Sequence, residues 1–136
     1  MTNSNPRVLD PRRTMSTLWI VVLFNMLFAD VLGFVAPGTL AEMATGYAGS
    51  LRVTPEILLV FAVLLEIPIA MVFLSRVLGY RANRLANIAA AVMTIAFTVG
   101  GGTTDPHYVF LAGMEVVCMT AIIRIAWTWR EPADVS

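Results

Sequence analysis

The chain contains no lysine, and all nine of its cations are arginine. It has one cysteine, one histidine and only 13% charged residues among its 136 positions. Each scarcity excludes something. Acids and bases balance to a net charge of zero, and a chain without a basic field has nothing with which to neutralise phosphates, so nucleic acid is not a partner. A lone thiol, Cys118, provides no disulfide framework, no paired zinc ligands and no dithiol relay. No activated nucleophile, phosphate-binding glycine loop or metal-ligand spacing is present, so no catalytic or metal-binding residue is assigned and no enzyme activity is expected. His107 stands beside Asp105, where capping of a helix start is a better reading than catalysis.

What is abundant is apolar. The 58% hydrophobic content exceeds the usual soluble balance of about 45–50%, and a water-soluble fold would have nowhere to hide that surface. Most of it falls in four runs, at Leu18–Ala36, Ile57–Ser75, Leu85–Gly102 and Tyr108–Trp127. A helix needs about 20 apolar residues to cross a bilayer core. The third run is short and alanine-rich as far as Gly100, and it counts as a span only when carried on through Gly102, as here, or begun near Ala82. Asp30 interrupts the first run and no small-residue cleavage site follows it convincingly, which argues against a removable signal peptide. The expectation is a single all-α membrane domain over 1–136, a bundle of four transmembrane helices.

Helix starts divide the chain in the same places. "DPR" at Asp10, "TPE" at Thr54 and "DPH" at Asp105 each put a capping oxygen before a proline, whose missing N–H suits the first helical position. Between the first and second spans, "PGTLAEMATG" offers a turn at Pro37-Gly38, a capping box of Thr39 and Glu42, and a stop at Gly46. This predicts a short helix on the membrane surface, with a plain loop as the alternative.

Arginine sets the orientation. Arg7, Arg12 and Arg13 precede the first span, Arg76, Arg81 and Arg84 lie between the second and third, and Arg124 and Arg130 end the fourth. Only Arg52 falls on the other side, so the positive-inside rule predicts an inner-membrane protein with both termini in the cytoplasm. Trp19, Tyr80, Trp127 and Trp129 would then form an inner aromatic belt and Tyr47 and Tyr108 an outer one.

Three acids fall within the spans at one depth. Counted at ~1.5 Å per residue, Asp30, Glu66 and Glu115 lie about 9–14 Å below the outer end of the apolar region. Facing lipid, each would cost of order 2.5–3.5 kcal/mol, so all three are expected to face the bundle interior. Small neighbours agree: Ala62 and Ala70 flank Glu66, Ala112 and Cys118 flank Glu115, and Gly33 lies near Asp30. Asn25, in a row with Ala29 and Gly33, adds an amide near the layer. Pro68 in "LLEIPIA" frees the Leu64 carbonyl one turn from Glu66. Asp30, Glu66, Glu115 and Asn25 therefore form a candidate site for a proton or a small ligand, against the plainer reading that the acids are neutral hydrogen-bonding groups between helices. On the third span, Ala82, Ala86, Ala90, Thr94, Thr98 and Gly102 recur every four residues, a ridge for packing within the bundle or for a homodimer or membrane partner, while Ala91 lies off the row.

The glutamate in "LLEIPIA", the "SRVLGYRANR" turn and the acid in "AGMEVVC" together resemble the DoxX-like four-helix membrane proteins, over about residues 15–129. That resemblance implies a subunit linked to quinone redox, with a quinone or lipid as ligand. The residues themselves leave two other readings open. One is an accessory or assembly subunit with no ligand of its own. The other is a small proton-coupled transporter, although the small multidrug type places its glutamate in the first helix and needs a weaker charge bias than eight arginines against one.

Overall fold

The computed structural model describes residues 9–130. Its elements are α1 (Pro11–Val35), α2 (Thr39–Met43), β1 (Tyr47–Ala48), β2 (Leu51–Arg52), α3 (Pro55–Val77), α4 (Tyr80–Gly100) and α5 (Pro106–Thr128). The helices α1, α3, α4 and α5 are long and apolar enough to cross a membrane. Each packs on two others, in the cyclic order α1, α3, α4, α5, with the closest association between α1 and α5. The chain runs up and down in turn, as in an antiparallel four-helix bundle, with α2 and the two strands in the connection from α1 to α3. The third span is completed at its beginning, since α4 starts at Tyr80 and runs 21 residues.

Two of the predicted starts form through side-chain caps. Asp10 accepts from the Arg12 N–H and Thr54 from the Ile57 N–H, with Pro11 and Pro55 opening the helices. Asp105 precedes α5 without a side-chain cap: its carbonyl accepts the Val109 N–H, and its carboxylate accepts the Thr103 hydroxyl. The Thr39–Glu42 capping box does not form. Gly38, at φ +88°, is the N-cap, and the Thr39 N–H donates to the Ala36 carbonyl across the Pro37-Gly38 turn, so Thr39 is already inside α2. Past Gly46, at φ +86°, the chain makes a small hairpin in which Tyr47 pairs with Arg52, and Gly49, at φ +60°, turns it.

The core is gathered at one end. The buried residues of α3 are Pro68, Met71 and Ser75, all in its second half, whereas those of α1 apart from Ala29 lie in its first half. Towards the hairpin the bundle opens. Among the described residues, Arg12, Arg13, Arg76, Arg81, Arg84, Arg124 and Arg130 stand at the packed end and Arg52 at the open one.

Two expectations about faces are corrected here. The α4 row is not one face: Ala82 is exposed and Ala86 half-buried, whereas Ala90, Thr94 and Thr98 are buried together with Asn83, Asn87 and Ala91. A spacing of four residues advances about 40° per step beyond a full turn, so the row winds around the helix. Its inner members pack the bundle and are not free for a dimer. Trp19 does not join an interfacial belt, because its side chain is fully buried. Tyr108 likewise turns inward, donating its hydroxyl to the Thr98 carbonyl at 2.7 Å.

Candidate functional site

Of the three intramembrane acids, the fold takes one inside. Glu115 lies on α5 with 2% of its surface exposed. Its Oε2 accepts the Thr98 hydroxyl of α4 at 3.0 Å. Thr98 is fixed in turn by Tyr108, whose ring fills the space left by the missing side chain of Gly102: a Cβ at that position would stand 2.5 Å from Cε1 of Tyr108. Cys118 is buried one turn past Glu115. Among the described residues the ion pair is Arg13–Asp10, far along the chain from this group, so no arginine neutralises Glu115.

Asp30 lies on α1, the helix most closely associated with α5, and is exposed at the open end. Glu115 is thus closed in on α5 by the Thr98 hydroxyl, while Asp30 stands exposed on the neighbouring helix. Asn25 is half-buried and donates to the Val21 carbonyl of its own helix at 2.9 Å, which leaves it outside the group.

Glu66 departs from the expected inward orientation. It is exposed, on α3, which packs on α1 and α4 and not on α5. The reason is helical phase. Pro68 points into the core, and two residues turn an α-helix by about 200°, so a glutamate at 66 points away from it. Shared depth did not mean a shared site.

The most polar part of the interior lies at the other end of the bundle. Asn87 Oδ1 accepts from Trp19 Nε1 at 2.8 Å and from the Ser75 hydroxyl at 3.0 Å. Its Nδ2 donates to the carbonyl and side-chain oxygens of Asn83 at 3.0 and 2.6 Å. Asn83 Nδ2 reaches the Ser75 carbonyl at 2.7 Å. Beside this, Arg76 Nε donates to Ser16 Oγ, which donates to the Val72 carbonyl, at 2.9 and 2.7 Å. Arg84 closes the end of α5, with Nε on the Ala126 carbonyl at 2.8 Å and a second nitrogen on that of Trp127 at 3.1 Å. No side-chain nitrogen or oxygen buried among the described residues lacks a partner. The signal in the sequence was Asn83 and Asn87, four residues apart inside an apolar helix, and it was overlooked because neither carries a charge.

Between α1, α3 and α4 the interior leaves a crevice of about 10 Å³ bounded by Met26, Leu64, Ile67, Met93, Thr94 and Phe97. That is room for roughly one water. Among the described residues no cluster of His, Cys, Asp and Glu is arranged to hold a metal.

Compared with known proteins, the chain matches one family model over residues 9–136, described as a family of unknown function, DUF6326. The DoxX-like resemblance is not what this comparison finds. No curated protein and no solved structure matches the chain.

Proposed function

The chain belongs to DUF6326, and for this multi-pass membrane protein we propose that Asp30 and Glu115 form a proton-exchanging site for a small cation in the outward half of the bundle. Glu115 carries the reading, as a carboxyl 2% exposed, held by one threonine hydroxyl and with no arginine beside it. A buried acid without a counter-ion is stable when it holds a proton or when a cation takes the proton's place. Asp30, at the mouth on the neighbouring helix, supplies the second carboxyl for a transferred proton or an incoming cation.

The surrounding donors favour a cation over a quinone. The Tyr108 and Thr98 hydroxyls already donate to the Thr98 carbonyl and to Glu115, so a ligand at the site meets acceptors, which attract a cation and offer little to quinone carbonyls. Support for the redox subunit implied by the DoxX-like resemblance is correspondingly thin. Placing the arginine-rich end in the cytoplasm of the inner membrane opens the site outward. Cation binding then runs as an exchange, in which the carboxylic acid releases its proton to the outer solution and the carboxylate keeps the cation. Affinity for the cation rises with pH, since the proton is its competitor.

The test is the infrared band of protonated carboxyl in purified protein, followed between about pH 5 and 8 in sodium and in choline at equal ionic strength. The expected result is a component of the band that weakens at lower pH in sodium than in choline and that is missing from a folded Glu115→Gln variant. A band indifferent to sodium, with the variant as stable as the wild type, refutes the site and leaves the accessory-subunit reading.

A further inference from the structure

Glu66 sits at the midpoint of α3, eleven residues from Pro55 and eleven from Val77. At ~1.5 Å per residue either end is about 16 Å away, well beyond what a glutamate side chain can span to reach interfacial water. The residues around it on the same face, Leu59, Val63, Ile69 and Phe73, are exposed and apolar, as a lipid-facing surface requires. Among the described residues no donor bonds to Glu66, and the side of α3 that meets the buried asparagines, through Ser75, is nine residues on and about 180° around the helix from it. A carboxyl in that position is costly against lipid, and hydrogen bonding to another polar group at the same depth is what removes the cost.

We propose that the protein is a parallel two-fold homodimer across this face of α3, with the Glu66 carboxyls of the two copies hydrogen-bonded to each other at the middle of the bilayer. A second copy brings its own Glu66 to that depth by symmetry, and one interface made of the same patch twice satisfies both acids. Lipid headgroups and the arginines of the packed end do not come that deep. An antiparallel pair would also bring the two acids level, but it would put the arginine-rich ends of the copies on opposite sides of the membrane, against the charge bias. The surface suits a close approach, since Ala62 and Ala70 lie one turn either side of Glu66. Two like charges cannot share the contact, so the pair retains at least one proton between its oxygens. The contact is independent of Glu115, which belongs to a different face of the bundle.

Disulfide crosslinking in native membranes tests this, with Cys118→Ala as the background. Ala62→Cys and Ala70→Cys should give covalent dimers, and Val117→Cys, exposed at mid-depth on α5, should not. Light scattering in mild detergent should report a dimer for the wild type and for Glu66→Gln, whose amide both donates and accepts, and a monomer for Glu66→Leu, which keeps an apolar surface and therefore the fold. Crosslinking at Val117 equal to that at Ala62, a dimer that survives Glu66→Leu, a monomeric wild type, or a different polypeptide held at α3 would each overturn the proposal.

Discussion

Asn87 and Glu115 are both buried on facing helices, and they make opposite uses of the low dielectric around them. Every polar atom of the Asn87 amide is bonded, to Trp19, Ser75 and Asn83, so the group is closed and has nothing left to offer a ligand. Glu115 has one hydroxyl for two oxygens, which leaves capacity for a proton or a cation. Replacing Asn87 by Ala should therefore hurt stability without touching the carboxyl site. The indole N–H of Trp19 and the Ser75 hydroxyl would lose their acceptor in a dry interior, at a cost of about 1–3 kcal/mol. Unfolding of purified protein should show that loss, together with a shift of Trp19 emission, while the carboxyl infrared band stays as in the wild type. Unchanged stability would mean that neighbouring carbonyls or water take over these bonds.

For a single helix, rotation about its own axis decides what each residue does. On α4 the inward face holds both Ala90 and Ala91, at 5% and 0% exposure, whereas Ala82 and Ala89 look outward. Ala90→Leu and Ala91→Leu should each overpack the interior and cost about 1–3 kcal/mol. Ala82→Leu and Ala89→Leu should stay within about 0.5 kcal/mol of the wild type. A thermal-stability series over these four variants reads the helix phase directly, and a damaging Ala89→Leu would show that another surface packs there. On α3 the same geometry turns Pro68 inward and Glu66 outward. The proline costs little there, since the helix runs unbroken through it and transmembrane neighbours accommodate the missing bond.

Taken whole, the molecule is asymmetric along its axis in charge and in packing. The arginine-rich end is tied by the Asn87 network, by Arg84 on the last carbonyls of α5, and by Arg12 above the Trp129 ring at 5.5 Å. The other end carries the hairpin and the mouth of the carboxyl pair, with few buried side chains. The open end is therefore the less tightly packed of the two. The orientation of the molecule is testable in intact cells with Cys118→Ala as background. Ser50→Cys, exposed at the hairpin turn, should react with an impermeant thiol reagent, and Ala82→Cys, exposed at the start of α4, should react only after the membrane is opened. The reverse pattern would invert the orientation and place the carboxyl site on the cytoplasmic side.

The four spans, their alternating direction, the proline-marked starts and the gathering of arginine at one end were all legible along the chain, because run length, caps and charge are local properties that need no partner to be read. The inward-facing residues were not legible. In water a helix advertises its buried face by contrast with a polar one, but in a bilayer lipid and core are both apolar, so Leu59 and Met71 look alike in sequence although one is exposed and the other buried. Only the packing of α1 against α3 and α5 settled that phase. It sent Glu66 to the surface and Glu115 to the interior, and it joined Trp19 to Asn87 across 68 positions of sequence.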